Sequence, residues 1–191
     1  MANDFFTLAE YKVYANLTSP NQDTAIKNLI PKVSQLAKTY CRRTFIDYVD
    51  DAKIEVSSGG LSYLLMSEYP LIAVSSVESS DDYGKTYTTL TEFTDYAVDQ
   101  ENGSIEVIGA LMWPKKINGY KVTYTAGYAE GIPEDFKLAC MDLLTYYLKN
   151  DMSVKSQRDA GSNTVQIEYI TKNTLPSHIA RVFDMYVANV A

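Results

Sequence analysis

The hydrophobic period of this chain changes twice, and a chain patterned in that way folds neither as all helix nor as all sheet. Near the start, Ile26, Leu29, Ile30, Val33, Leu36, Ala37, Tyr40 and Cys41 recur at the spacing of one helix face. From Ala52 to Tyr128 the pattern alternates instead, as in Lys53-Ile54-Glu55-Val56-Ser57, Ser104-Ile105-Glu106-Val107-Ile108 and Tyr120-Lys121-Val122-Thr123-Tyr124-Thr125. Ser58-Gly59-Gly60, Asp82-Tyr83-Gly84, Glu101-Asn102-Gly103 and Asn118-Gly119 punctuate these runs. Roughly five to seven short antiparallel strands follow from that rhythm. Helical spacing returns after Gly131-Ile132-Pro133, with Phe136, Ala139, Cys140, Leu143, Leu144, Tyr147 and Leu148 on one face.

The fold class read from this pattern is α+β: helices from both chain ends form a helical bundle, and an antiparallel β module is inserted between them. The expected organisation is 1–51 for the N-terminal helices, 52–128 for the β module and 129–191 for the C-terminal helices, with an arm at 152–174.

Local signals fix the element ends. Thr7-Leu8-Ala9-Glu10 has the form of a capping box and predicts a helix over 8–17. Ser19-Pro20 predicts a second start, with proline where its missing N–H costs nothing. Pro31 then sits inside the predicted helix, so that helix either bends there or begins later. Pro70 and Pro114 mark sheet edges or turns, since neither donates to a ladder. Residues 152–174 open with a polar stretch that includes Arg158 and then alternate through Val165, Ile167 and Tyr169. The expectation is a mobile loop followed by a strand or extended arm, and these four residues are the candidate interface arm; a plain surface hairpin is the competing reading. A last helix starts at Pro176 and carries Ile179, Val182, Phe183, Tyr186 and Val187 on one face.

Composition narrows the function classes. Sixteen tyrosines stand against one tryptophan and six phenylalanines, a bias that suits half-buried sheet positions and subunit contacts equally well. A net charge of −7 disfavours gripping phosphates, although an acidic wall can let a duplex slide past. Cys41 and Cys140 lie in apolar helical patterns and read as core residues of a chain folded in a reducing compartment. Residues 1–6 carry no basic segment ahead of an apolar run, and the apolar runs are too short to span a bilayer, so neither a secretory leader nor a membrane span is expected.

No catalytic, cofactor or metal site is predicted. Neither a GxxxxGK nor a GxGxxG loop occurs. His178, the one histidine, falls just after a helix-starting proline and reads as a solvated side chain. Asp50-Asp51 and Asp81-Asp82 read as turn acids. Asp99-Gln100-Glu101-Asn102-Gly103 fails as a calcium loop, because glycine falls fifth instead of sixth and Ala110 takes the place of the twelfth-position acid.

Three stretches carry a resemblance. The first is Phe6-Thr7-Leu8-Ala9-Glu10-Tyr11-Lys12-Val13-Tyr14-Ala15-Asn16-Leu17 with the helix ending Tyr40-Cys41-Arg42-Arg43-Thr44-Phe45. The second is Tyr69-Pro70-Leu71-Ile72-Ala73-Val74-Ser75-Ser76-Val77. The third is Val122-Thr123-Tyr124-Thr125-Ala126-Gly127-Tyr128 followed by Ile132-Pro133-Glu134-Asp135-Phe136-Lys137, with Leu175-Pro176 near the end. In these the chain resembles the phage head-to-tail connector (adaptor) family of long-tailed phages.

The resemblance implies a non-enzymatic virion protein of the neck, assembled in the host cytoplasm. It would form a ring of identical subunits, a dodecamer, docked on the portal protein and offering a platform to the next tail or stopper protein. DNA would pass through the ring without specific binding. The alternatives are another neck or tail-completion protein and a small host-directed binding module.

Overall fold

Thr7 and Glu10 start the first helix as their spacing predicts. The Glu10 N–H donates to the Thr7 hydroxyl at 3.2 Å, and the Glu10 carboxylate accepts from the Thr7 N–H at 2.7 Å. Helix α1 (Leu8–Tyr14) is shorter than its apolar pattern, because Asn16 turns into the left-handed region at φ 51 and the Leu17 N–H closes back on the Lys12 carbonyl. The computed structural model describes residues 4–149, 155–157, 166–168 and 175–188.

Helix α2 (Asp23–Cys41) begins later than the Ser19-Pro20 signal, since residues 20–22 form a turn in which the Asp23 N–H donates to the Pro20 carbonyl. Pro31 remains inside it and offers no N–H to the carbonyl four residues back. The helix ends where Arg42 adopts φ 57 and the Arg43 N–H reaches the Lys38 carbonyl, the closure that glycine usually makes.

Seven strands follow: β1 (Lys53–Ser57), β2 (Tyr63–Leu65), β3 (Leu71–Ser79), β4 (Thr88–Thr89), β5 (Tyr96–Asp99), β6 (Ser104–Val107) and β7 (Tyr120–Ala126). Then come α3 (Glu134–Leu148), the antiparallel pair β8 (Lys155–Gln157) and β9 (Gln166–Glu168), and α4 (Ser177–Asp184). The fold class is α+β with antiparallel sheets, as the change of period predicts.

The chain divides into two units. Among the described residues, one holds 38–133 with 187–188, and the other holds 4–37 with 134–149 and 175–186.

In the β unit, one antiparallel sheet has the order β1-β7-β3-β4 and the second has the order β2-β6-β5. Both contribute to one core: Leu71, Val77, Tyr120, Val122, Tyr124 and Ala126 from the first, and Leu64, Tyr96 and Ile105 from the second, with Met66 and Trp113 from the loops. The Trp113 indole N–H donates to the Ile105 carbonyl at 3.1 Å, and the Tyr120 hydroxyl donates to the Pro114 carbonyl at 3.0 Å. Each aromatic ring is thereby buried while its polar tip stays bonded.

The glycine of the Tyr-Thr-Ala-Gly stretch has a defined task. Gly127 sits at φ 119, and a Cβ there would collide with the Phe45 carbonyl oxygen. The N–H groups of Ala126, Gly127 and Tyr128 each donate at 2.9 Å, to the carbonyls of Tyr48, Pro70 and Phe45 respectively. This seam ties the end of β7 to the segment leaving α2.

The helical unit is stitched by aromatic rings and tyrosine hydroxyls. Phe136 packs on Phe183 at 5.0 Å and on Tyr186 at 5.1 Å between ring centroids. The Tyr186 hydroxyl bonds the Asp135 carboxylate at 2.8 Å, and the Tyr11 hydroxyl meets the Thr145 hydroxyl at 3.0 Å. Ile179 and Phe183 are the buried residues of α4, at the spacing the sequence predicts.

Replacing Gly127 with alanine forces both a disfavoured φ and a backbone collision. Unfolding of Gly127→Ala in urea is expected to show a loss of roughly 2–4 kcal/mol against the parent chain.

Candidate assembly surfaces

Strand β1 carries its side chains the wrong way round for a half-buried strand. Lys53, Glu55 and Ser57 pair with Tyr124, Val122 and Tyr120, which face the core. Ile54 and Val56 therefore fall on the opposite face and are 63% and 51% exposed. The inward polar side chains are satisfied: Lys53 lies 2.8 Å from Glu55 and 3.6 Å from the buried Glu68, while the Ser67 hydroxyl donates to Glu55. Glu68 also accepts from the Thr44 N–H at 3.0 Å with either oxygen. Burial pushes the Tyr124 phenol well up from its usual value, and the neighbouring Glu55 charge adds to the shift. The register thus spends the apolar residues of an edge strand on the outside.

A second apolar surface forms at one end of the β2-β6-β5 sheet. The ends meeting there are the start of β2, the start of β5 and the end of β6. Backbone bonds hold the flanking loops to one another: Val107 N–H to Ser62 carbonyl, Ile108 N–H to Asp95 carbonyl, and Trp113 N–H to Leu61 carbonyl at 2.8 Å. Leu61, Tyr63, Phe93, Ile108, Leu111 and Met112 are all exposed there, Leu111 at 91% and Phe93 at 80%. Phe93 is moreover held at φ 62, a conformation that costs a non-glycine residue about 1–2 kcal/mol.

The helical unit offers a shallow groove of about 450 Å³ lined by Ala9, Glu10, Val13, Tyr14, Glu134, Lys137 and Met141. Lys137 spans its rim, 2.9 Å from Glu134 and 3.6 Å from Glu10. Burial and the Asp142 carboxylate raise the Tyr14 phenol to about 12, so it remains a hydrogen-bond donor at physiological pH.

The acidic pairs serve the loops. Asp82 accepts from the N–H groups of Thr86 at 2.8 Å and Lys85 at 3.0 Å, and from the Thr86 and Ser80 hydroxyls. Asp99 accepts from the Asn102 N–H at 3.1 Å and closes the β5–β6 turn. Asp81 pairs with Lys116 at 2.6 Å. His178 is exposed on the first turn of α4. Among the described residues no group of three or more His, Cys, Asp or Glu is placed to hold a metal ion.

Of the four predicted arm residues, Ile167 lies in β9, opposite Ser156 of β8. Arg158, Val165 and Tyr169 lie outside the described residues. The two apolar surfaces of the β unit were not singled out from the sequence. Ile108 to Trp113, six consecutive residues without a charge that start at the last residue of a predicted strand, was the available signal.

A family model described as head completion protein matches residues 4–188. The chain belongs to the head completion protein family. A relative within it, the head completion protein of Escherichia phage T5, is 26% identical over 184 residues, covering 94% of this chain and 96% of the relative.

Two solved structures share the fold. A chain in the neck of an empty gene transfer agent particle, computed with C6 symmetry, aligns with TM-score 0.58 at 14% identity, covering 100% of this chain and 97% of that one. A chain in the neck of the native particle, computed with C12 symmetry, gives 0.56 at 13% identity with the same coverage. The match to the head completion family agrees with the resemblance carried by the three sequence stretches.

Asp82 supplies a pH test of its loop. The Thr86 N–H and hydroxyl, then the Ser80 hydroxyl, hold its carboxyl down at about 2. A carboxyl depressed in the folded state stabilises the loop above its unfolded pKa of about 3.9, and that contribution fades as pH falls toward the folded value. The Asp82 side-chain carbonyl resonance is expected to titrate near pH 2; a midpoint near 4 would contradict the bonding described.

Proposed function

We propose that this protein is a structural connector of the phage neck: a subunit that assembles as a ring under the portal, extends the DNA channel and joins the head to the tail. Membership of the head completion family carries this reading. The T5 relative is named for completing heads, and the two fold neighbours come from particle necks computed with C6 and C12 symmetry. Those symmetries favour the closed dodecameric ring that the resemblance implies.

The physical chemistry supports the same role. A ring built head to tail needs two different faces on each subunit, and the β unit presents two separate apolar surfaces. Its strain and exposed apolar area have no use in an isolated chain. A net charge of −7 suits a channel through which a polyanion must slide without sticking. In this reading the helices of the two chain ends act as one bundle. The segment containing Arg158, Val165, Ile167 and Tyr169 acts as a docking arm toward a neighbour or the portal.

Complementation tests the assignment. Particles produced without this protein are expected to accumulate as DNA-filled heads and unattached tails, and the full chain supplied in trans restores joined particles. A chain lacking residues 155–170 should fail to restore them. Joined, infectious particles made in the absence of the protein would overturn the connector role, and restoration by the shortened chain would overturn the arm.

A further inference from the structure

The two apolar surfaces of the β unit lie on different faces of one sandwich. Ile54 and Val56 point away from the shared core on the outer side of the β1-β7-β3-β4 sheet, at its β1 edge. Thr123, Thr125 and Ala73 continue that outer face. The other surface caps the end of the β2-β6-β5 sheet and is built on Leu111, Met112, Phe93, Ile108, Leu61 and Tyr63. Two different faces on one rigid module are the requirement of a heterologous contact, in which one face of a copy meets the other face of the next.

We propose that the cap of one copy seats on the Ile54–Val56 stripe of a second copy, so that this contact closes the ring. The inference rests on the connector reading.

Three observations carry it. The cap gathers six large apolar residues at one end of a sheet, with Leu111 91% and Phe93 80% exposed, where a monomer usually scatters such residues singly. The residues from Ile108 to Trp113 carry no charge, so Leu111 and Met112 can desolvate against an aliphatic stripe without stranding an ion. The stripe itself leaves two β-branched apolar side chains, Ile54 and Val56, in water on the outer face of the sheet's β1 edge. Here β1 tucks Lys53 and Glu55 inward and offers Ile54 and Val56 outward. Covering Ile54 and Val56 removes that apolar area from water, and the apolar surface that can cover them is present on every copy.

Cross-linking in assembled particles tests the contact. The variant Leu111→Cys/Ile54→Cys places one thiol on each proposed face, while the native cysteines, Cys41 and Cys140, are buried. After oxidation of purified particles, denaturing gels are expected to show a ladder of multiples of the subunit mass, and each single-cysteine variant should run as monomer. Met112→Cys/Val56→Cys provides a second pair should the first disturb assembly.

Intact necks that contain the doubly substituted subunit yet yield only monomer for both pairs would overturn the contact and leave the connector role standing. A cross-linked product whose mass shows a different neck protein would overturn the choice of a second copy. Particles whose necks contain no copy of the parent chain would instead remove the connector reading.

Discussion

A buried guanidinium anchors the point on which the β unit depends. Arg43 is 2% exposed, with its charged carbon 3.7 Å from the centre of the Tyr69 ring, 4.6 Å from Phe45 and 5.5 Å from Tyr128. One terminal nitrogen donates to the Tyr69 carbonyl, while Nε and the other terminal nitrogen make no hydrogen bond to the described residues. Taking such a charge out of water is costly, and stacking on desolvated aromatic faces offsets part of that cost at about 2 kcal/mol per favourable ring. The arrangement gathers three distant segments: the turn leaving α2, the loop entering β3 and the segment leaving β7. Gly127 lets the same segments close through backbone hydrogen bonds.

Rigidity at this seam is what makes the outer surfaces meaningful. Strand β7 lies between β1 and β3, so fixing its end fixes the register of both neighbours. That register sends Ile54 and Val56 outward, and a slip of one residue would bury them and expose Lys53 and Glu55 instead. The assembly stripe is therefore a consequence of pairing. The tyrosine excess has an equally physical account in the described residues. Tyr11, Tyr14, Tyr120 and Tyr186 bury ring area while their hydroxyls bond a threonine, carboxylates or a carbonyl.

Much of this was legible beforehand. The Thr7–Glu10 box, the strands at Lys53, Ser104 and Tyr120, the turn at Asn102-Gly103 and the apolar face of α3 are short-range signals, and the structure places each as its pattern predicts; α4 buries Ile179 and Phe183 as expected but ends at Asp184, so Tyr186 and Val187 fall beyond the helix. Helix ends were less legible, because Asn16 and Arg42 stop helices in a left-handed conformation more often taken by glycine. The direction in which β1 faces could not be read locally. Lys53-Ile54-Glu55-Val56-Ser57 looks like an ordinary half-buried strand with its apolar residues inward, and only pairing with β7 reverses it. Arg43 was equally silent, since a charged residue beside Arg42 at a helix end reads as solvated until Tyr69 and Tyr128 arrive from far along the chain.

The central claim is that this chain forms the ring between head and tail. Imaging the neck of intact particles at a resolution that traces side chains tests it most directly. The account predicts twelve copies of this fold in a closed ring at the head-to-tail junction, with Trp113 and the stacked Arg43–Tyr69 pair recognisable in each subunit. A neck fully traced by other chains, with this protein elsewhere in the particle or absent from it, would contradict the account.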